Sequence, residues 1–63
     1  MVLNKKKLLI AMSNSMMNIE LLREASGVSR NTISRVLNSD IKIRPQTAGK
    51  LAKALGVKVE DLL

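Results

Sequence analysis

The 63-residue sequence predicts an all-α fold of five short helices, on three observations. Apolar residues recur at helical spacing, with no sustained alternation of period two. Gly27, Pro45, Gly49 and Gly56 are the chain's only glycines and proline, and they fall between or near the ends of the apolar runs. Asn4, Asn18 and Ser29 stand where the first three helices need an oxygen to cap free N–H groups.

The first helix is expected from Leu3 or Asn4 to Ser13, with Leu8, Leu9 and Met12 facing inward and Met12 and Met16 filling the core. "SNSM" (Ser13 to Met16) then breaks it, because Ser and Asn compete for backbone hydrogen bonds. The second helix runs from Asn18 or Ile19 to about Ser26. Glu20 lies in its first turn, where the helix dipole favours a negative charge. Ile19, Leu22 and Ser26 share one face, and Gly27 supplies a left-handed end. The third starts at Ser29 as cap and runs from Arg30 to Leu37 or Asn38, with Ile33, Val36 and Leu37 inward. "NSDIKIRP" is an irregular connection in which Ile41 and Ile43 tuck back onto the core. The fourth opens near Pro45, since proline's missing N–H has no helical partner in a first turn. Ala48, Leu51, Ala52 and Leu55 form its stripe, and Gly56 stops it. Gly49 inside this helix costs about 1 kcal/mol against Ala, and is read as a close approach of two helices. A final turn, Val59 to Leu63, makes the fifth element.

Composition narrows the function. A chain this short is read as one domain, residues 1–63, whose core supplies only about 3–5 kcal/mol. It contains no Cys and no His, so disulfides, thiolate metal sites and the commonest general base are absent. It contains no Phe, Tyr or Trp, which argues against binding single strands by base stacking. Eleven Lys and Arg against five Asp and Glu give a formal charge of +6, which favours a polyanionic partner: duplex nucleic acid or an anionic membrane surface. The apolar run Leu8 to Met12 is too short for a signal peptide, and nothing approaches the length of a membrane span. The expectation is a soluble cytoplasmic protein with no cofactor, no metal and no evident small-molecule ligand. No glycine-rich phosphate loop or paired-carboxylate motif points to an enzyme.

The helices on either side of "SGVS" form a helix–turn–helix layout, residues 18–38. The third helix is two-faced. Ile33, Val36 and Leu37 are apolar, while Arg30, Asn31, Ser34, Arg35 and Asn38 present donors and acceptors on the other side. A helix of this kind fits the major groove of B-form DNA with its N-terminal residues against base edges. Arg grips guanine O6 and N7, and Asn pairs with adenine N6 and N7.

"GVSRNTISRVLN" (Gly27 to Asn38) resembles the helix–turn–helix of the lac-repressor family. The whole chain is more similar to the Cro and phage-repressor family, through the helix before the motif and "RPQTAGKLAKALGVKVEDLL" after it. That resemblance implies a compact, five-helix, lambda-repressor-like DNA-binding domain. It implies base contacts from Arg30, Asn31, Ser34 and Arg35. It also places phosphate contacts at Asn18, Ser29, Thr32 and Asn38, and around the start of the fourth helix at Lys42, Arg44, Gln46, Thr47 and Lys50. Two positions depart from the family pattern. Ile19 stands where a phosphate-binding Gln often follows the cap, so only backbone N–H groups serve an anion there. Arg23 stands where both families nearly always have Ala, at the crossing of helices two and three. Either its stem lies along the interface with the charge outward, or helix two is rotated.

The reading is a sequence-specific double-stranded DNA-binding transcriptional regulator of Cro or repressor type, bacterial or phage-encoded and nucleoid-associated. It acts at an operator as a homodimer, with Val57, Val59, Leu62 and Leu63 either forming the subunit contact or closing the core. The alternative is a protein-interaction adaptor of the same fold, such as the antitoxin of a toxin–antitoxin pair. A membrane-surface role is weak, because the basic residues are spread over several helices rather than one polar face.

Overall fold

The computed structural model describes residues 1–63 and contains helices and no strand: α1 (Lys5–Asn14), α2 (Ile19–Ser26), α3 (Arg30–Asn38), α4 (Pro45–Leu55) and a 3₁₀ turn at Val59–Leu62. The fold class is as the sequence predicts. The fifth expected helix is a single 3₁₀ turn, started by the Lys58 N–H donating to Asp61 Oδ2 at 3.0 Å.

Local chemistry sets the boundaries. Asn4, Asn18 and Ser29 each accept an N–H from the third helical residue: Lys7 at 3.0 Å, Leu21 at 2.8 Å and Thr32 at 3.2 Å. Gly27 (φ 75°) ends α2 and Gly56 (φ 69°) ends α4, both left-handed, where a Cβ is unfavourable. Pro45 opens α4 without any side-chain cap.

Thirteen aliphatic residues form one core, drawn from every helix and from the segments between them. Leu8, Leu22, Ile33, Ala48 and Leu51 are fully buried. The helix α2 packs on α3 and α4, and α1 packs on α3, so α3 is held from two sides. Every buried side-chain nitrogen and oxygen has a hydrogen-bond partner. Ile41 and Ile43 pack against the core as expected, and so do Ile19, Leu37, Val57 and Val59.

Four expectations are corrected. The first helix begins at Lys5, and Leu3 lies before it in an extended segment, only 2 % exposed. That segment is sewn to the rest of the chain: the Asn4 N–H donates to the Leu62 carbonyl at 2.7 Å, and the Ile43 N–H to the Met1 carbonyl at 2.8 Å. Leu9 faces solvent, and Ala11 takes the inward position beside Leu8 and Met12. Ala11, Leu8 and Met12 span about 100° of the helix surface, and Leu9 lies about 60° further round, beyond the edge of that stripe. Met16 is no core filler; it is 87 % exposed with φ 53°. It occupies the left-handed position of a Schellman end to α1, closed by the Met17 N–H donating to the Met12 carbonyl at 2.9 Å. Gly49 marks no close approach, because a Cβ built on it meets nothing within 4 Å.

Two stability changes follow, both measurable by urea denaturation. Leu3→Ala is expected to cost about 2–4 kcal/mol, as a buried leucine truncation does; a surface-like loss below about 0.5 kcal/mol would show that the extended segment is not anchored. Gly49→Ala is expected to gain up to about 1 kcal/mol, since helix propensity improves with no steric conflict.

Candidate nucleic-acid interface

The candidate interface is built on α3, and its aim is set by what α3 buries. Ile33 is fully buried and Val36 nearly so, with Leu37 packed at the margin. The turn before it is fixed as well. Val28 is buried, its N–H donates to Ser26 Oγ at 3.1 Å, and the Ser26 hydroxyl donates to the Leu22 carbonyl at 2.6 Å. With one side of α3 locked inward, Arg30, Asn31, Ser34, Arg35 and Asn38 fall within roughly 140° of arc on the other side. Arg30, Asn31, Arg35 and Asn38 are exposed and Ser34 is half-buried. The five residues expected on one polar face are therefore brought together.

Several of these side chains already have partners. The Ser29 hydroxyl donates to Thr32 Oγ1 at 2.8 Å, which leaves the Thr32 hydroxyl hydrogen free for an outside acceptor. The Asn38 amide donates to Ser34 Oγ at 3.3 Å, so these two act as a pair along the helix. Asn38 is the last residue of α3. Asn18 Oδ1 is committed to its cap, and its amide NH₂ retains two donors.

A second part of the site lies where the chain enters α4. Lys42, Arg44, Gln46 and Lys50 are exposed, and Thr47 is half-buried. The Thr47 N–H meets no capping side chain, unlike the equivalent N–H groups of α2 and α3 at Leu21 and Thr32. Uncapped N–H groups beside cationic side chains suit an anion. Between Gly27 and Lys53 the chain carries Arg30, Arg35, Lys42, Arg44, Lys50 and Lys53 against one carboxylate, Asp40. Asp40 pairs with Lys5 at 3.6 Å.

Sequence reasoning gave Glu20 only a dipole role, but the structure makes it a junction. Its Oε1 accepts from Arg23 Nε at 3.0 Å and from Arg23 Nη2 at 2.5 Å. Its Oε2 lies 3.9 Å from Arg30 Nη1 on α3. The i, i+3 spacing of Glu20 and Arg23 was a visible signal for half of this cluster. Arg23 itself carries its charge outward, with its side chain 42 % exposed, which accommodates a long residue where the related families have Ala. The Arg23 hydrogen bond, followed by the charges of Arg23 and Arg30, holds the Glu20 carboxyl below the usual 4.5. The same bond raises Arg23.

The arrangement offers donors, acceptors and positive charge on exposed residues of α3 and of the start of α4. No three His, Cys, Asp or Glu residues come together in a group able to hold a metal. No helix is long and apolar enough to cross a membrane.

Comparison with known proteins agrees with this geometry. A helix-turn-helix family model matches residues 7–62. Among solved structures, the chain is similar to the restriction-modification controller protein C.AhdI from Aeromonas hydrophila, with a TM-score of 0.85 and 22% identity over 94% of this chain and 89% of that one. It is also similar to part of Streptomyces albus HEPD, solved with 2-hydroxyethylphosphonate and Fe(II) bound. There the TM-score is 0.84 and the identity 24%, over 94% of this chain but only 13% of that one. At such identities the likeness shows the fold alone. No curated protein gives a significant match.

The Glu20 cluster has a definite pH signature. A carboxyl whose folded value is depressed contributes stability above its unfolded value and loses it as pH falls through the folded one. Carboxyl-detected NMR should give Glu20 a midpoint below 4.5. In Arg23→Ala the midpoint should move up towards that figure. A midpoint indifferent to Arg23 would exclude the junction.

Proposed function

The chain belongs to the helix-turn-helix family and is a DNA-binding transcriptional regulator; from that premise we propose that it is sequence-specific and of Cro or repressor type, occupying an operator through the major groove. The observation that carries this reading is the exposed polar face of α3, set opposite the buried Ile33 and Val36. In this reading Arg30, Asn31, Ser34 and Arg35 meet base edges. Phosphates are met by Asn18, Ser29, Thr32 and Asn38, by Lys42, Arg44 and Lys50, and by the start of α4 at Gln46 and Thr47. Base contacts specify the site, while phosphate contacts fix register and supply most of the attraction.

Such a domain acts at palindromic sites as a homodimer, with half-sites about 34–36 Å apart. Val57, Val59 and Leu63 keep exposed or half-exposed apolar surface for a subunit contact, whereas Leu62 is buried and serves the core. The controller name of C.AhdI is in keeping with a regulatory role.

Selection of random duplexes by the purified protein is expected to return a palindromic consensus. With that duplex, log K against log salt should fall with a slope of about −4 to −7, the release expected from some 4–8 phosphate contacts per dimer. Arg35→Ala should cost about 1–3 kcal/mol and relax preference at one base pair. Salt-independent binding, or no enrichment from the pool, would refute the reading.

A further inference from the structure

Only one ion pair joins α2 to α3, and it is made by a carboxylate that lies between two arginines, Arg23 and Arg30. The other three pairs link Lys5 to Asp40, or lie within α2 between Arg23 and Glu20 or Glu24. The two oxygens of Glu20 are used unequally. Oε1 takes both hydrogen bonds from Arg23, and Oε2 is left facing Arg30 at 3.9 Å. Arg30 is the first residue of α3, with a side chain 72 % exposed and no other acidic partner.

We propose that Glu20 is a specificity-determining residue, whose Oε2 engages the Arg30 guanidinium and keeps it from acting as a general clamp on phosphate. The inference rests on the reading of α3 as the element that enters the groove.

The physical argument concerns what Arg30 does on different duplexes. On any DNA, a free arginine at the start of a recognition helix finds a phosphate within reach, which strengthens binding regardless of sequence. Following a phosphate costs the guanidinium its pair with Glu20, so the gain from a non-specific contact is reduced by the worth of that pair. The guanidinium leaves, or shares, that partner only where a base edge offers two acceptors in the right geometry, as guanine O6 and N7 do. The carboxylate therefore penalises non-specific contact more than specific contact, which is a way of discriminating by discouraging the wrong partner. Arg23 matters because its hydrogen bonds fix the carboxylate and offset its charge, so Glu20 can sit beside a polyanion without repelling it outright. The net formal charge of Glu20, Arg23 and Arg30 together is +1, against +2 for the two arginines alone.

Glu20→Gln tests this, with Glu24→Gln as control. Both remove one negative charge from α2, and Glu24 touches Arg23 at 3.8 Å but makes no pair with Arg30. Affinities are measured for the selected duplex and for a scrambled duplex of equal length, across a salt series. Glu20→Gln is expected to tighten binding to the scrambled duplex about three- to fivefold, the range of an exposed ion pair, with less change on the selected one. Its salt slope on the scrambled duplex should steepen by about 0.9, one more phosphate being neutralised. Glu24→Gln should shift both duplexes alike and leave their ratio unchanged. Equal behaviour of the two variants, or an unchanged slope for Glu20→Gln, would overturn the role of Glu20 while leaving the groove reading intact. A native protein that does not distinguish the two duplexes would overturn the groove reading itself, and this inference with it.

Discussion

Ile33 is wholly enclosed, and its burial decides which way the rest of α3 faces. A helix of nine residues has little else to fix its rotation. Turning it by one residue, 100°, would bring Thr32 or Ser34 into the place of Ile33 and bury a hydroxyl without a partner, at a cost of about 1–3 kcal/mol. Val36 adds a second inward anchor one turn nearly complete after the first, and Val28 pins the turn before it. The polar face is thus a consequence of apolar packing. Its residues need no mutual contacts to point outward together.

Much of this was readable along the chain because the governing rules are local. Asn18, Ser29, Gly27, Pro45 and Gly56 each act within a few residues of themselves, and they mark α2, α3 and α4 within a residue of their observed ends. The stripe of α4 was equally plain, since Ala48, Leu51, Ala52 and Leu55 fall at i, i+3, i+4 and i+7. The run "LLIAM" in α1 gave no such contrast. Five successive apolar residues offer several faces, and only the position of α3 selects Leu8, Ala11 and Met12 over Leu9. The tie between Asn4 and Leu62 was invisible for a different reason, because it is a backbone bond between positions far apart in sequence. Met16 illustrates a third. Its left-handed backbone follows from how α1 ends, and nothing in a methionine announces it.

The candidate site shows the same division. Residue types and their spacing were enough to place five polar side chains on one face of α3. The partners those side chains hold were not legible, since Glu20 reaches Arg30 across a helix junction. No charged side chain is buried, so the charges take no part in the core. Exposed ion pairs contribute little to stability, so their arrangement can answer to recognition instead.

The hydrogen bond from Asn4 to the Leu62 carbonyl places the beginning and the end of the folded unit side by side. A unit whose two ends meet can be spliced into a surface loop of a larger polypeptide without prising that loop open, because the host sees only a narrow stem. By the same geometry, joining residues 1 and 63 through a few glycines and cutting the chain in an exposed connection should yield a permuted molecule with its core undisturbed.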